Sequence, residues 1–428
     1  MEQTVIDRSV APPICPIGDF PLVLPQNFTL PNNTVLHLIS AGKQPVVNVQ
    51  LNFNTSGQTG KQRAVALLAN KMLAEGTRQH PATSLMAAID QLGAFIELSA
   101  GFDQSEIEFY CLHKHLHTML VLIREMLAEP DFSEKQLEKL KTVTAQNIRI
   151  NLEKTATVAS NLFRQSIFGA EHPYGSIITE EHITTTSLQE VQQFYQQYYA
   201  EKPFEIIAAG QYQPPDVQLF ADTLGTLPAL AATPAYVSRH VNKPSVIIHQ
   251  TKENAVQSSI RIGKIIDLQQ GKNSKDYLVL NLLVEALGGY FGSRLMQNIR
   301  EKKGLTYGIY ANLVTLQQAT YLVIGADVKK QLRELAIEEI QKEIDSLIQQ
   351  PISHDELERV RSYMQGTFIS SINTAFAIAN RYKGIYYHQL PEDYYHRYVS
   401  SLNQITTEDL LQSAEKYLQT GFSVISVG

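Results

Sequence analysis

Closely spaced histidines and glycine-rich loops are the first places where this chain could do chemistry. His113, His115 and His117 alternate along a short run, and neighbouring imidazoles can gather a metal ion. No acidic residue accompanies them there, and the run sits where a strand should hand over to a helix. A solvated junction is the expected outcome. Thr55–Gln62 superficially resembles a phosphate-cradling loop, but the first glycine is missing, and Gln62 stands where Ser or Thr would hold Mg²⁺. It reads as a plain loop. His172-Pro173-Tyr174-Gly175 reads as a structural turn and Gly288–Gly292 as a flexible one. No Ser-His-Asp or Cys-His arrangement is recognisable from local sequence. The tyrosines of Arg381–Tyr387 and Tyr394-Tyr395 could line a surface groove, although tyrosines at helical spacing more often pack an amphipathic face.

Two longer runs are more specific. The amphipathic segment Arg63–Thr77 ends Met72-Leu73-Ala74-Glu75-Gly76-Thr77, and Ser293–Tyr307 reads S-R-L-M-Q-N-I-R-E-K-K-G-L-T-Y. The first resembles the active-site helix of the insulinase, pitrilysin and mitochondrial processing peptidase family, which typically ends H-M-x-F-K-G-T. The second resembles that family's S-R-L-x-x-x-x-R-E-x-x-G-L-x-Y signature, and His172–Gly175 is a turn the family often shows. In such enzymes an H-x-x-E-H helix brings two His to one Zn²⁺, and the Glu activates the bound water. The matching positions here are Leu67, Asn70 and Lys71, and the family's third ligand, a later Glu, falls at Asn147. Leucine cannot ligate, lysine is a poor zinc ligand at neutral pH, and amides replace both carboxylates. The resemblance therefore implies a degenerate site with no metal, no cofactor and no catalytic residue in this chain.

It also implies that Arg300 and Tyr307 face a zinc site across a chamber and help hold the substrate backbone. A guanidinium and a phenol are fixed donors for a peptide carbonyl or a developing oxyanion. The structural alternative pairs Arg300 with a nearby carboxylate and leaves Tyr307 half in the core.

The elements that must position these residues repeat once along the chain. Leu137 and its neighbours in Asp131–Lys141 return around Leu357 in Pro351–Arg361, Ile183–Glu190 returns as Ile405–Gln412, and Phe204–Gly210 returns as Phe422–Gly428. Val47–Phe53 and Glu106–Leu112 alternate like half-buried strands. Helical periodicity runs from Thr118 to Ala128 and from Ser133 to about Phe168. In the second half, strands are expected at Ser245–His249, Gln257–Gly263, Thr306–Leu313 and Thr320–Ala326. Helices are expected at Ser274–Leu287, at Lys329–Gln349 and from Ser353 onward. The Ala/Pro-rich stretch Leu227–Pro234 reads as a linker, dividing the chain into 1–230 and 231–428. The fold class is α+β: two homologous halves, each a mostly antiparallel sheet with helices packed on one face.

At 428 residues the chain suits two domains of about 200 residues each. Its 44% hydrophobic and 18% charged content is globular, and a net charge of −6 argues against a nucleic-acid groove. Two cysteines make no disulfide framework. The N-terminal residues lack a signal-peptide pattern and no apolar run is long enough to span a membrane, so a cytoplasmic location is the default, with the periplasm left open.

The resemblance covers nearly the whole chain, from about Phe20 to Gly428. Active members of this length work as pairs of two-domain chains around a chamber, and in some bacterial systems one chain carries the zinc motif and its partner the Arg/Tyr pair. The chain thus looks like a non-catalytic subunit of a heteromeric insulinase-like zinc endopeptidase. It would bind peptide beside a zinc-bearing homologous subunit and would not be an enzyme on its own. The alternative is a peptidase-like scaffold or peptide-binding protein with no proteolytic role, and a homodimer in isolation is compatible with either. Peptide could add to an exposed strand edge, with Gln257–Gly263 and Gly101–Leu112 as candidate edges.

Overall fold

The computed structural model describes residues 22–200, 202–228, 244–268 and 271–428, together with Ser9, Ile17 and Phe20. Strand β3 (Val46–Asn54) shows how the first half is built, because its side chains alternate in destination. Val47, Val49, Leu51 and Phe53 are buried in one core. Asn48, Gln50 and Asn52, equally buried, lie on the opposite face. Around β3 stand β1 (Gln26–Thr29), β2 (Val35–Ser40), β4 (Phe95–Ala100), β5 (Gln104–Leu112) and β6 (Glu205–Gly210) in the order β1-β2-β6-β3-β5-β4. The helices are α1 (Gly60–Met72), α2 (Ala82–Gln91), α3 (Leu116–Ala128), α4 (Glu134–Leu152), α5 (Thr155–Phe168), α6 (Glu180–Thr184), α7 (Leu188–Tyr195) and α8 (Asp216–Asp222).

The second half has β7 (Ile247–Gln250), β8 (Gln257–Ile266), β9 (Thr306–Thr315), β10 (Thr320–Lys329) and β11 (Ser423–Val427), ordered β7-β11-β8-β10-β9. Its helices are α9 (Lys275–Val284), α10 (Arg333–Gln349), α11 (His354–Ser370), α12 (Ala375–Tyr387), α13 (Tyr394–Gln404) and α14 (Thr407–Tyr417). Both sheets pair in the same pattern. One parallel pair, β2 with β6 and β7 with β11, is followed by antiparallel pairs across β3, β5 and β4 or β8, β10 and β9. The fold is α+β in two halves. The capping boxes at the starts of α7 and α14 set Ser187 opposite Thr406. That is three residues off the alignment read from sequence alone.

Each half packs its own helices on one sheet face, and a helix from the other half reaches the second face. Helix α5 lays Phe163, Ile167 and Phe168 against Val323 and Ile425 of the second sheet. In return α12 sets Ala375, Ile378 and Ala379 on Ile39, Ile207 and Ala209 of the first. Full burial of a Phe or Ile side chain contributes about 1.5–3 kcal/mol, so each crossing helix holds the halves together substantially. Glycine makes one contact feasible: a Cβ on Gly263 would lie 1.9 Å from Leu322 O and 2.8 Å from the Phe163 ring.

Two expectations are corrected. The segment from Ser133 to Phe168 is two helices, with Lys154 extended between them. Both pieces are amphipathic, but α4 packs on the first half while α5 turns onto the second sheet, so periodicity alone ran through the break. Neither proposed edge is an edge: β8 lies between β11 and β10, and β5 between β3 and β4. A strand with one polar face alternates alike at the rim or the centre. Among the described strands the rims are β1, β4, β7 and β9. The division near residue 230 falls outside the described residues.

Candidate functional site

The Arg300 segment begins by anchoring itself. Arg294 makes a two-pronged pair with Glu356 at 2.7 and 2.9 Å, and Asn298 donates to Glu339 and Glu343 at 3.1 and 2.8 Å. Leu295 and Ile299 are fully buried in the second core. Met296–Lys302 is π-helical, a widened form often seen at functional sites. Gly304, at φ 60°, closes the segment while its N–H donates to Arg300 O. These constraints leave Arg300 on the outer side. Its guanidinium lies 4.9 Å from the Phe291 ring centre and 5.0 Å from that of Tyr307, with Nε 3.3 Å from Glu301 Oε1.

Tyr307 is turned out by an irregularity of its own. The β9–β10 register shifts between Ala326 and Val328, and Thr306 Oγ1 donates to Asp327 O at 2.6 Å. Two β9 residues, Tyr307 and Gly308, therefore face one on β10, and such a bulge re-aims a side chain. Tyr307 is 89% exposed. It is not half-core, whereas Arg300 does have a carboxylate neighbour as the structural alternative required. The sequence reading missed Phe291, which it placed in a flexible turn. An exposed aromatic between Gly289 and Gly292 was the available signal.

The positions expected to match the zinc motif lie in the other half. Leu67, Asn70 and Lys71 are on α1 and Asn147 on α4, two helices that pack together. Leu67 packs on the first core. Asn70 is fully buried, its Nδ2 3.2 Å from Tyr199 OH and 3.4 Å from Glu106 O. Asn147 is exposed on the surface of α4. A zinc ion does not fit this donor set: Leu67 is hydrocarbon, the Asn70 amide donates into the core, the half-buried Lys71 is a poor zinc ligand, and Asn147 faces solvent. Among the described residues no three His, Cys, Asp or Glu side chains form a metal-binding group.

The retained end of the zinc-helix motif has a structural use. Gly76 takes φ 120°, and Thr77 Oγ1 donates to the buried Glu125 while accepting from His80 N at 2.9 Å. His80 Nδ1 is also 2.9 Å from Glu125 Oε1. His172–Gly175 is likewise structural: Tyr174 OH donates to Asp103 at 2.7 Å and accepts from Gln318 N at 3.1 Å, joining the two halves. Of the alternating histidines, His113 meets an acid from far along the chain, Asp216, at 2.8 Å. The junction is tied down at that residue as well as solvated. Tyr382 and Tyr386 pack on His37 in the face between the halves.

Comparison with known proteins shows the family and the fold. The family model for insulinase (peptidase family M16) matches residues 40–177, and that for the peptidase M16 inactive domain matches residues 185–364. The chain is 24% identical over 354 residues to the "Uncharacterized zinc protease YmxG" of Bacillus subtilis, covering 81% of this chain and 82% of that one. It is 23% identical over 350 residues to the "Non-peptidase homolog YmxG" of Helicobacter pylori, covering 78% of each. A crystal structure of a peptidase M16 inactive domain from Pseudomonas fluorescens superposes with a TM-score of 0.83 at 21% identity, covering 94% of this chain and 98% of that one. The periplasmic protease PqqL of Escherichia coli matches at TM-score 0.75 and 14% identity, covering 98% of this chain and 49% of that one. The chain belongs to peptidase family M16. Within that family it is of the inactive type.

Proposed function

We propose that this chain is a non-catalytic subunit of a heteromeric M16 endopeptidase, binding peptide through Arg300 and Tyr307 opposite the zinc of a homologous partner. One contrast carries the reading. Leu67 and Asn70 are absorbed into packing and Asn147 is left to solvent, while Tyr307 stands exposed with the half-buried Arg300 stacked on it, the pair supported by a π-helical segment and a strand bulge. A guanidinium and a phenol beside the rim strand β9 could donate to carbonyls of a peptide lying along that edge. The like pairing of the two sheets supports descent of both halves, 1–230 and 231–428, from one duplicated unit. The relative named a non-peptidase homolog supports the absence of independent activity.

The test mixes purified chain with a zinc-bearing M16 chain and follows cleavage of a quenched fluorescent peptide. Activity should need both chains, and Arg300→Ala should lower kcat/KM by about tenfold or more, the worth of a hydrogen bond to a charged donor. Tyr307→Phe should cost less. Full activity in both variants would favour the scaffold alternative. Metal analysis of the chain alone should find no stoichiometric zinc; one tightly held zinc per chain would overturn the proposal.

A further inference from the structure

A cavity of about 250 Å³ lies among α9, α11, α12 and α13, away from the zinc-type positions. Its wall is rich in tyrosine, including Tyr277, Tyr394 and Tyr398, and three charged side chains line it: Lys272, Arg381 and Glu285. No ion pair joins Lys272, Arg381 or Glu285 to another described residue. Arg381 Nε donates to Ser371 Oγ at 2.8 Å, its backbone carbonyl accepts from the Tyr395 hydroxyl at 3.1 Å, and its guanidinium lies 5.9 and 5.8 Å from the Phe368 and Tyr395 ring centres. All of those neighbours are neutral. Glu285 is held against the backbone of Gly289, where a Cβ would come within 2.3 Å of its carboxyl carbon.

Charges of both signs that have no ion-pair partner among the described residues, in a partly buried space, are costly unless something arrives to pair them. Burial holds the Lys272 ammonium below its ordinary range, with Arg381 adding to the effect, and burial pushes the Glu285 carboxyl up. A dianion would be repelled at Glu285 and a diamine at Lys272 and Arg381. A ligand carrying one charge of each sign satisfies all three, and the tyrosine faces suit both an ammonium and an apolar or aromatic side chain. The volume is below the usual range of about 300–1,000 Å³ for drug-sized ligands, so the guest is small.

We propose that this cavity binds a small zwitterion of the amino-acid or dipeptide class, its carboxylate on Lys272 and Arg381 and its ammonium on Glu285. The site is independent of the peptide-holding role of Arg300. The test titrates the full chain by calorimetry with L-phenylalanine and alanyl-phenylalanine, then with phenylalanine capped as the N-acetyl acid or as the amide. At least one free zwitterion should bind, and either cap should weaken binding by about tenfold or more, since each removes a charge-assisted hydrogen bond. In Glu285→Gln the N-acetyl cap should lose its effect, and in Lys272→Met the amide cap should lose part of its effect, Arg381 retaining the rest. Circular dichroism would confirm the fold of both variants. No binding of either zwitterion at millimolar concentration, or binding indifferent to one or both caps in the unaltered chain, would overturn the proposal.

Discussion

Asn70, which the sequence resemblance sets where active members carry a carboxylate, turns its amide nitrogen to Tyr199 OH and Glu106 O from a fully buried site. Asn70→Ala should destabilise the chain by about 1–3 kcal/mol, because buried polar groups lose their partner. Asn70→Asp should cost more at pH 8 than at pH 4, because a buried carboxylate is penalised only once it ionises. Urea unfolding at the two pH values measures both. A milder Asp variant at pH 8 would mean the site is wetter than its burial indicates. The candidate zinc-type positions could be picked out in the sequence because each departs from the family's residue type at a known spacing. Phe291 was not, since its meeting with Arg300 depends on how Gly289–Gly292 turns. The partners of Asn70 were hidden too, for Tyr199 lies 129 residues away and only the fold brings it near.

Strand alternation survived translation into structure better than helix length did. β3, β5, β9 and β10 stand within a few residues of their expected bounds. The break before α5 escaped because the apolar stripe continues while its destination changes. The face where α12 meets the first sheet offers a pH test. Burial pushes Glu205 up to about 7 and His37 down to about 4. The unfolded chain ionises Glu205 near the ordinary carboxylate range, so this group lowers stability as pH rises from there to about 7. The unfolded chain protonates His37 near 6.5, so this group lowers stability as pH falls from 6.5 to about 4. The two effects oppose one another across the shared window. Glu205→Gln should therefore leave a stability that climbs with pH between about 4.5 and 6.5, more steeply than in the parent by up to about 1.4 kcal/mol per pH unit. Denaturant midpoints across that range check the slope; parallel curves for parent and variant would refute it. Under the other crossing helix, Gly263→Ala on β8 should destabilise by about 1–3 kcal/mol or more through overpacking against Leu322 O and the Phe163 ring. It should also reduce hydrogen-exchange protection within α5.

For the whole molecule, two halves were readable from segments recurring about every 220 residues, as Leu137 and Leu357 do. The exchange of α5 and α12 was not readable, because a helix's own pattern does not name the sheet it covers. That exchange predicts a single cooperative transition. The chain has no tryptophan, so Phe28→Trp and Phe422→Trp place one reporter in each half on a dark background. Their urea midpoints should coincide; distinct midpoints would show the halves unfolding independently.

The polar row on β3 also bears on the order in which the chain is made. The first sheet is complete once β6 has been synthesised, long before α12 exists to cover its second face. The uncovered surface is a strip of Ile39, Ile207 and Ala209 beside Asn48, Gln50 and Asn52. An all-apolar strip would invite other nascent chains to stick while it waited. The amides keep that face wet until α12 arrives, and one of them, Gln50, then meets Asn380 at 3.1 Å.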